Sequence, residues 1–204
     1  RISKKVMDHQ KKNIIEKYPA TVTARMLNML RPVAVPDPPR KANGNIDSTF
    51  QLQYYRQHYF DNFDLGDEVM LRTPKIFYWD MVKGYLHRLI VQHPDSITSA
   101  IDRLATIAKK SQDTYKYFIW KCVTYYQQAE IMCLDEVYVN LVDKYLSTGE
   151  MDYWLDKKTI GNMKTYADKV RLAMIGRTAP NLIMQNENGD PRALYDIKTK
   201  YTIL

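Results

Sequence analysis

Two cysteines, four histidines and sixteen tyrosines carry most of the reactive chemistry in this 204-residue sequence, and their spacing restricts what they can do. Cys122 and Cys133 stand eleven residues apart in a segment that reads as mostly helical. In one unbroken helix that is about 16 Å, whereas a disulfide needs Cα atoms within about 7 Å. Two free, buried thiols are therefore expected, and two thiols in a chain of this length do not identify a redox compartment. His58 and His87 each lack a second His, Cys or carboxylate at a metal-binding spacing such as HExxH. Packing or surface histidines are expected, with no metal and no cofactor.

The acidic cluster Asp61, Asp64, Asp67 and Glu68 around Gly66 raises the question of calcium. An EF-hand loop starting at Asp61 would need oxygen ligands at its third and fifth positions, which are Phe63 and Leu65. A carboxylate-lined helix start opposite Arg72 fits better. The sequence contains no GxSxG, P-loop or GxGxxG, and its seven glycines offer little for a phosphate cradle. No complete catalytic constellation emerges. The aromatic run from Phe50 to Phe63 reads either as core packing or as the lining of a groove for a peptide or glycan. On the second reading the interaction surface comprises Tyr54, Tyr55, His58, Tyr59, Asp61, Phe63, Asp64 and Arg72.

The formal net charge of +7 is concentrated at one end. Residues 1–41 hold ten Lys and Arg against three acids, and the remaining residues balance at twenty against twenty. A nucleic-acid domain would spread basic residues along one groove with aromatic or Gly-rich partners, whereas here the excess lies on the polar faces of the opening helices. A solvated helix face is the expectation, with no nucleic acid as partner. No apolar run reaches the roughly 18 to 20 residues that cross a bilayer.

Several elements must position these residues. Val6, Met7, Ile14 and Ile15 recur at helical spacing from Ser3 to Tyr18, and Pro19 ends the pattern. Thr21 or Thr23 caps a second helix whose inward face is Met26, Leu27 and Leu30 and which is stopped by Pro32, which makes residues 1–31 a basic helical hairpin. Four prolines and Gly44 make residues 32–48 an extended connector. Ser48 is the expected N-cap of the aromatic helix. Thr73-Pro74 and His93-Pro94 start two further helices, the first largely buried and the second amphipathic through Ile97, Ile101, Leu104, Ile107 and Ala108. Helices follow over about Gln112–Ala129, from a cap at Asp135 to Leu146 with Gly149 as its stop, and over about Lys158–Ile175 with Gly176 as its stop. The expected fold is mainly α, an array of about eight antiparallel helices with residues 49–175 as the helical domain. After Gly176 the texture becomes β: Asn181–Gln185, a turn at Asn186–Gly189, a partner strand at Ala193–Tyr195 and a third strand from Tyr201 to Leu204.

The stretches Ile175-Gly176, Ala179-Pro180-Asn181-Leu182, Asn188-Gly189, Leu194-Tyr195-Asp196-Ile197-Lys198 and Tyr201-Thr202-Ile203-Leu204 resemble the opening strands of thioredoxin-like proteins of the peroxiredoxin and TlpA type. In that family the strand represented by Tyr201–Leu204 leads to a Cys-x-x-Cys pair. Upstream, the chain resembles DUF5106, a helical domain of unknown function that precedes a TlpA-like thioredoxin domain in Gram-negative envelope proteins. The matching stretches are Asn45–Phe50, Phe60–Asp64, Leu71–Pro74, Gln92–Ile97 and Lys144–Glu150.

The resemblance implies that residues 176–204 are the first strands of an incomplete thioredoxin-like fold. It implies a periplasmic or envelope location, a thiol–disulfide oxidoreductase as the whole protein, and a missing C-terminal redox domain and its client as partners. Arg1 opens inside a helix and Leu204 closes an apolar triplet, so both ends are expected to be cut, leaving room for a signal peptide or lipid anchor upstream of Arg1. Neither Cys122 nor Cys133 matches the redox motif. The role expected for residues 1–204 is that of a non-catalytic N-terminal module, with a stand-alone interaction domain as the alternative and nucleic-acid binding through residues 1–41 as a weaker third.

Overall fold

The computed structural model describes residues 2–40, 44–73 and 75–201. It is mainly helical. Helix α1 (Ile2–Lys17) leads to α2 (Val22–Met29), whose N-cap Thr21 accepts the Ala24 N–H on its side chain. Residues 32–39 of the proline-rich connector have no regular structure, and Arg40 forms an antiparallel bridge with Ile46. After it come α3 (Phe50–His58), a 3₁₀ turn (Glu68–Arg72) and α4 (Lys75–Arg88). Helices α5 (Pro94–Ala108), α6 (Gln112–Tyr126), α7 (Asp135–Leu141) and α8 (Lys157–Ala173) complete the array.

The core sits where α5, α6 and α7 pack on one another, with α8 against α7 and α4 against α5. Its positions follow from the 3.6-residue period: Ile97, Ile101, Leu104 and Ala108 of α5 meet Phe118, Ile119 and Cys122 of α6 and Val137, Leu141 and Val142 of the next pair of turns. Only three residues join α5 to α6, so the two run antiparallel. Thr114 seals that corner by donating its buried hydroxyl to the Ala108 carbonyl at 2.7 Å. Tyr138 of α7 reaches α8 through its hydroxyl, which donates to the Met163 carbonyl.

Several expected boundaries shift for local reasons. Thr49, not Ser48, is the N-cap of α3, because the Asp47 carboxylate accepts both the Thr49 N–H and its hydroxyl and so turns the chain one residue later. The aromatic helix ends at His58 rather than near Phe63, and none of its residues is fully buried. Helix α6 stops at Tyr126 instead of Ala129, and the irregular stretch beyond it holds Cys133 at φ +73°. Cys133 is therefore half-buried in a loop, not buried in a helix, while Cys122 is fully buried, and both are free. Asp135 is the first residue of α7 and Leu134 is its cap. Helix α7 then widens into a π-helical turn, Val142–Leu146, closed by the Ser147 N–H bonding to the Val142 carbonyl at 2.8 Å.

The C-terminal β-element is a two-stranded antiparallel hairpin, β1 (Ile183–Gln185) with β2 (Pro191–Ala193). Asn186 dictates the register by accepting the Asn188 and Asp190 N–H groups on its side chain, with Gly189 at φ +84°. That turn pairs Gln185 with Pro191 and Ile183 with Ala193, so the second strand lies before Ala193–Tyr195 and Leu194–Asp196 becomes a 3₁₀ turn. Pro191, which has no N–H to donate, is tolerated as the first residue of an edge strand. Tyr201 has no regular structure, and the remainder of the expected third strand, 202–204, falls outside the described residues. Pro74, the expected start of α4, falls outside them too.

Candidate functional site

The eight residues singled out in the aromatic segment separate into three environments. Tyr54 and His58 stack on the outer side of α3 at 4.0 Å between centroids, and His58 Nδ1 lies 2.7 Å from the Asp61 carboxylate. Tyr55 meets Tyr59 edge to face, and Tyr59 leans on Tyr85 of α4 at 5.4 Å. Burial, and after it the neighbouring Tyr55, raises the Tyr59 pKa, while the Arg88 charge opposes the rise. Phe63 is in the core, edge-on to Tyr78 at 5.3 Å, and cannot contribute to an exposed surface. Tyr54, His58 and Asp61 remain together at the surface, with Leu52 more than half exposed on the same short helix.

The carboxylates next to this segment are tied down by partners that sequence proximity does not reveal. Asp67 caps the 3₁₀ turn through Val69 N–H and takes an ion pair from Arg25 of α2 at 2.5 Å, a role expected of Arg72. Arg72 is exposed at the far end of that turn, with no ion pair among the described residues. Asp64 accepts the Gly66 N–H at 2.9 Å and both its oxygens lie 3.2 Å from Lys110 Nζ at the end of α5. Glu68 accepts from the Ser111 hydroxyl. Asn28 donates to the Asn62 carbonyl and Asn62 to the Arg31 carbonyl, which joins the loop to α2. The acidic loop is thus stitched to α2 on one side and to the α5–α6 corner on the other. Among the described residues no group of three or more His, Cys, Asp or Glu side chains gathers as a metal site.

Gly66 is needed at the centre of this stitch. A Cβ there would stand 2.6 Å from Lys110 Cδ, 2.7 Å from Lys110 Cβ and 3.0 Å from the Ile107 carbonyl oxygen. Gly66→Ala is expected to push the loop off α5 and destabilise the chain by about 1–3 kcal/mol, the usual cost of overpacking. Urea unfolding checks this, and an unchanged midpoint would contradict the close approach.

A second polar cluster, missed in the sequence, lines a cavity of about 580 Å³ between α5 and the turn after α7. Asp102 accepts the Tyr145 hydroxyl at 2.5 Å and pairs with Lys144 at 2.6 Å, and Lys109 pairs with Glu150 at 2.5 Å. Burial, and then the Asp102 carboxylate, pushes the Tyr145 pKa up. Tyr115 is raised by burial and then by Glu150, which stands close enough to act on the hydroxyl but outside hydrogen-bond geometry, so that the buried hydroxyl has no partner. Burial alone would raise the Glu150 carboxyl, yet Lys109, the Tyr115 hydroxyl and the Lys144 charge hold it below its ordinary value. Both tyrosines stay protonated near neutral pH, and Tyr145 serves as a hydrogen-bond donor to Asp102, not as a base. The only sequence signal here was the stretch Lys144–Glu150, which entered through a resemblance and not through its chemistry.

A second cavity, of about 380 Å³, lies at the end of α6, where Lys83 sits 5.2 Å from the Tyr125 ring centroid beside His87, Gln92 and Glu130. His87 is exposed on α4 and belongs to no group of three or more metal-ligating side chains among the described residues. None of the described helices is long and apolar enough to cross a membrane.

No curated protein and no solved structure matches the chain. A family model does match, over residues 5–169, from the first turn of α1 into α8. That span takes in the basic hairpin, the connector, the acidic loop and the Lys144–Glu150 turn, and leaves the β-hairpin outside. The chain therefore belongs to the family described as a domain of unknown function, DUF5106.

Proposed function

We propose that these helices form the non-catalytic N-terminal module of a thioredoxin-like thiol–disulfide oxidoreductase of the Gram-negative cell envelope, where they position the redox domain or bind its client. The observation that carries this reading is the β-hairpin. It lies beyond the family span, and its strands are open on both faces, with Ile183 72% and Met184 49% exposed. A two-stranded hairpin is marginal by itself and gains stability when further strands or a helix cover it. Leu182, Tyr195 and Ile197 are also exposed around it, which suits the first strands of a sheet that other elements complete. The resemblance of residues 175–204 to thioredoxin-like openings supports reading that sheet as a thioredoxin-like one.

On this reading the redox pair is not Cys122 with Cys133. Burial pushes the Cys122 thiol well above its ordinary pKa, so it supplies no thiolate for exchange. The test is the coding sequence after Leu204 together with an insulin-reduction assay. A Cys-x-x-Cys run is expected there, with reduction by the extended chain and none by residues 1–204. A stop codon after Leu204, or reduction by the short chain, would refute the proposal.

A stand-alone interaction domain is the second reading, and what favours it is that α3 buries none of its residues. Its surface would be Tyr54, His58 and Asp61, with Phe63 withdrawn into the core.

A further inference from the structure

The α1–α2 hairpin carries most of the charge surplus of the chain, and most of its own surface is uncovered. Helix α1 packs against α2, and α2 against the Glu68–Arg72 turn, so α1 stands one layer out from the core. From Val6 to Lys17 only Ile14 and Ile15 are even half-buried. Between the two helices runs a groove of about 570 Å³. Its floor is Ile15, Leu27 and Leu30, and its basic rim is Lys11, Lys12 and Arg31. Leu30 is 59% exposed. Asp8 also lines the groove, and Asp8, Lys11, Lys12 and Ile15 follow helical spacing, so one continuous stripe of α1 faces it.

An apolar floor between basic walls is the complement of a helix that is apolar on one side and acidic along its flanks. A third helix laid against two others reaches into their groove, which is how a helical pair completes its core. A flat bilayer surface would meet the rim and leave the floor uncovered. A nucleic-acid backbone brings phosphates for the lysines but nothing apolar for Leu30. We propose that the α1–α2 groove docks an acidic amphipathic helix of a protein partner. This rests on the α1–α2 hairpin alone and holds whether or not a redox domain is attached beyond Leu204.

The probe is a synthetic helical peptide with leucines on one face and glutamates on the other, compared by fluorescence anisotropy with a twin carrying lysines in place of the glutamates. The protein is residues 1–204. The glutamate peptide is expected to bind at least about tenfold more tightly than its twin, increasingly so as salt is lowered. Lys11→Glu with Lys12→Glu should reverse that preference, whereas Lys11→Arg with Lys12→Arg should keep it. Leu30→Asp should weaken the glutamate peptide about tenfold or more, since burial of one leucine is worth that much. All of these positions are exposed, so circular dichroism should show the fold intact. No binding of the glutamate peptide, equal binding of the twins, or indifference to Leu30→Asp overturns the proposal. So does tighter binding, dependent on Lys11 and Lys12, to phosphatidylglycerol vesicles or duplex DNA.

Discussion

Raising the pH past about 10 is expected to unfold the chain in one cooperative step, in which tyrosinate absorbance appears together with the loss of helical signal. Six tyrosines are at least nine-tenths buried, and five of them, Tyr78, Tyr115, Tyr126, Tyr138 and Tyr145, have a raised pKa. Burial is the first cause raising every one of these five, and Tyr138 is pushed up to about 12. Tyr78 donates its hydroxyl to the Leu65 carbonyl and Tyr138 to that of Met163, so ionisation would also remove the donor that satisfies a buried acceptor. The sign comes from the raised values. Folded tyrosines hold their protons where unfolded ones release them, so the stability they contribute is complete below the unfolded pKa near 10 and falls as pH rises toward the folded values. At pH 11 each unfolded tyrosine gains about 1.4 kcal/mol by ionising, so five gain about 7 kcal/mol, and Cys122, raised by burial, adds about 3 kcal/mol. That is comparable with the whole stability of a typical domain, about 5–15 kcal/mol. Gradual tyrosinate formation with the helical signal intact beyond pH 12 would contradict the burial of these rings.

The two thiols are expected to differ in reactivity toward a disulfide reagent by three orders of magnitude or more. Cys133 is half-buried in the loop after α6, at φ +73°, while Cys122 lies wholly within the α5–α6–α7 core. Reagent reaches Cys122 only when the helices open, and the open fraction of a stable domain is about 10⁻³ to 10⁻⁶. Burial also suppresses its thiolate, the species that attacks. Titration of the native chain should therefore consume one equivalent promptly and the second only after guanidinium is added. Prompt reaction of two equivalents would place Cys122 outside the core.

The contrast between the thiols also marks what the sequence could reveal. Positions tied to helical period were legible: Ile97, Ile101, Leu104 and Ala108 lie on one face of α5, with Pro94 at its first turn, and all are buried, while Ile107 of the expected stripe is exposed. The break after Tyr126 was not, because no proline or glycine announces it and Cys133 adopts a backbone conformation usually left to glycine or asparagine. Aromatic spacing in α3 suggested a core but could not say that the rings would pack mainly along the rim, on one another and on Tyr85. The acidic cluster was visible, while its partners were not. Arg25 reaches Asp67 and Lys110 reaches Asp64 from more than forty positions away, and pairing of that kind depends on how helices are laid side by side. In the hairpin, the asparagine turn was read correctly, but the strand it pairs with begins at Pro191, a residue that β propensity disfavours.

The wide turn Val142–Leu146 acts as a phase shifter for everything downstream of it. An α-helix advances about 100° per residue, so one residue accommodated in a wider ring rotates the following side chains by about that angle relative to a regular helix. Within the wide turn Tyr145 and Lys144 both meet Asp102 of α5, and beyond it Glu150 arrives opposite Lys109. A regular helix of the same composition, one residue shorter, would keep every side chain of the cavity wall and aim them elsewhere. Chain length across this turn is therefore as much a determinant of the cavity as the identity of its residues, and a relative with a single-residue deletion there would have a different wall however similar its sequence.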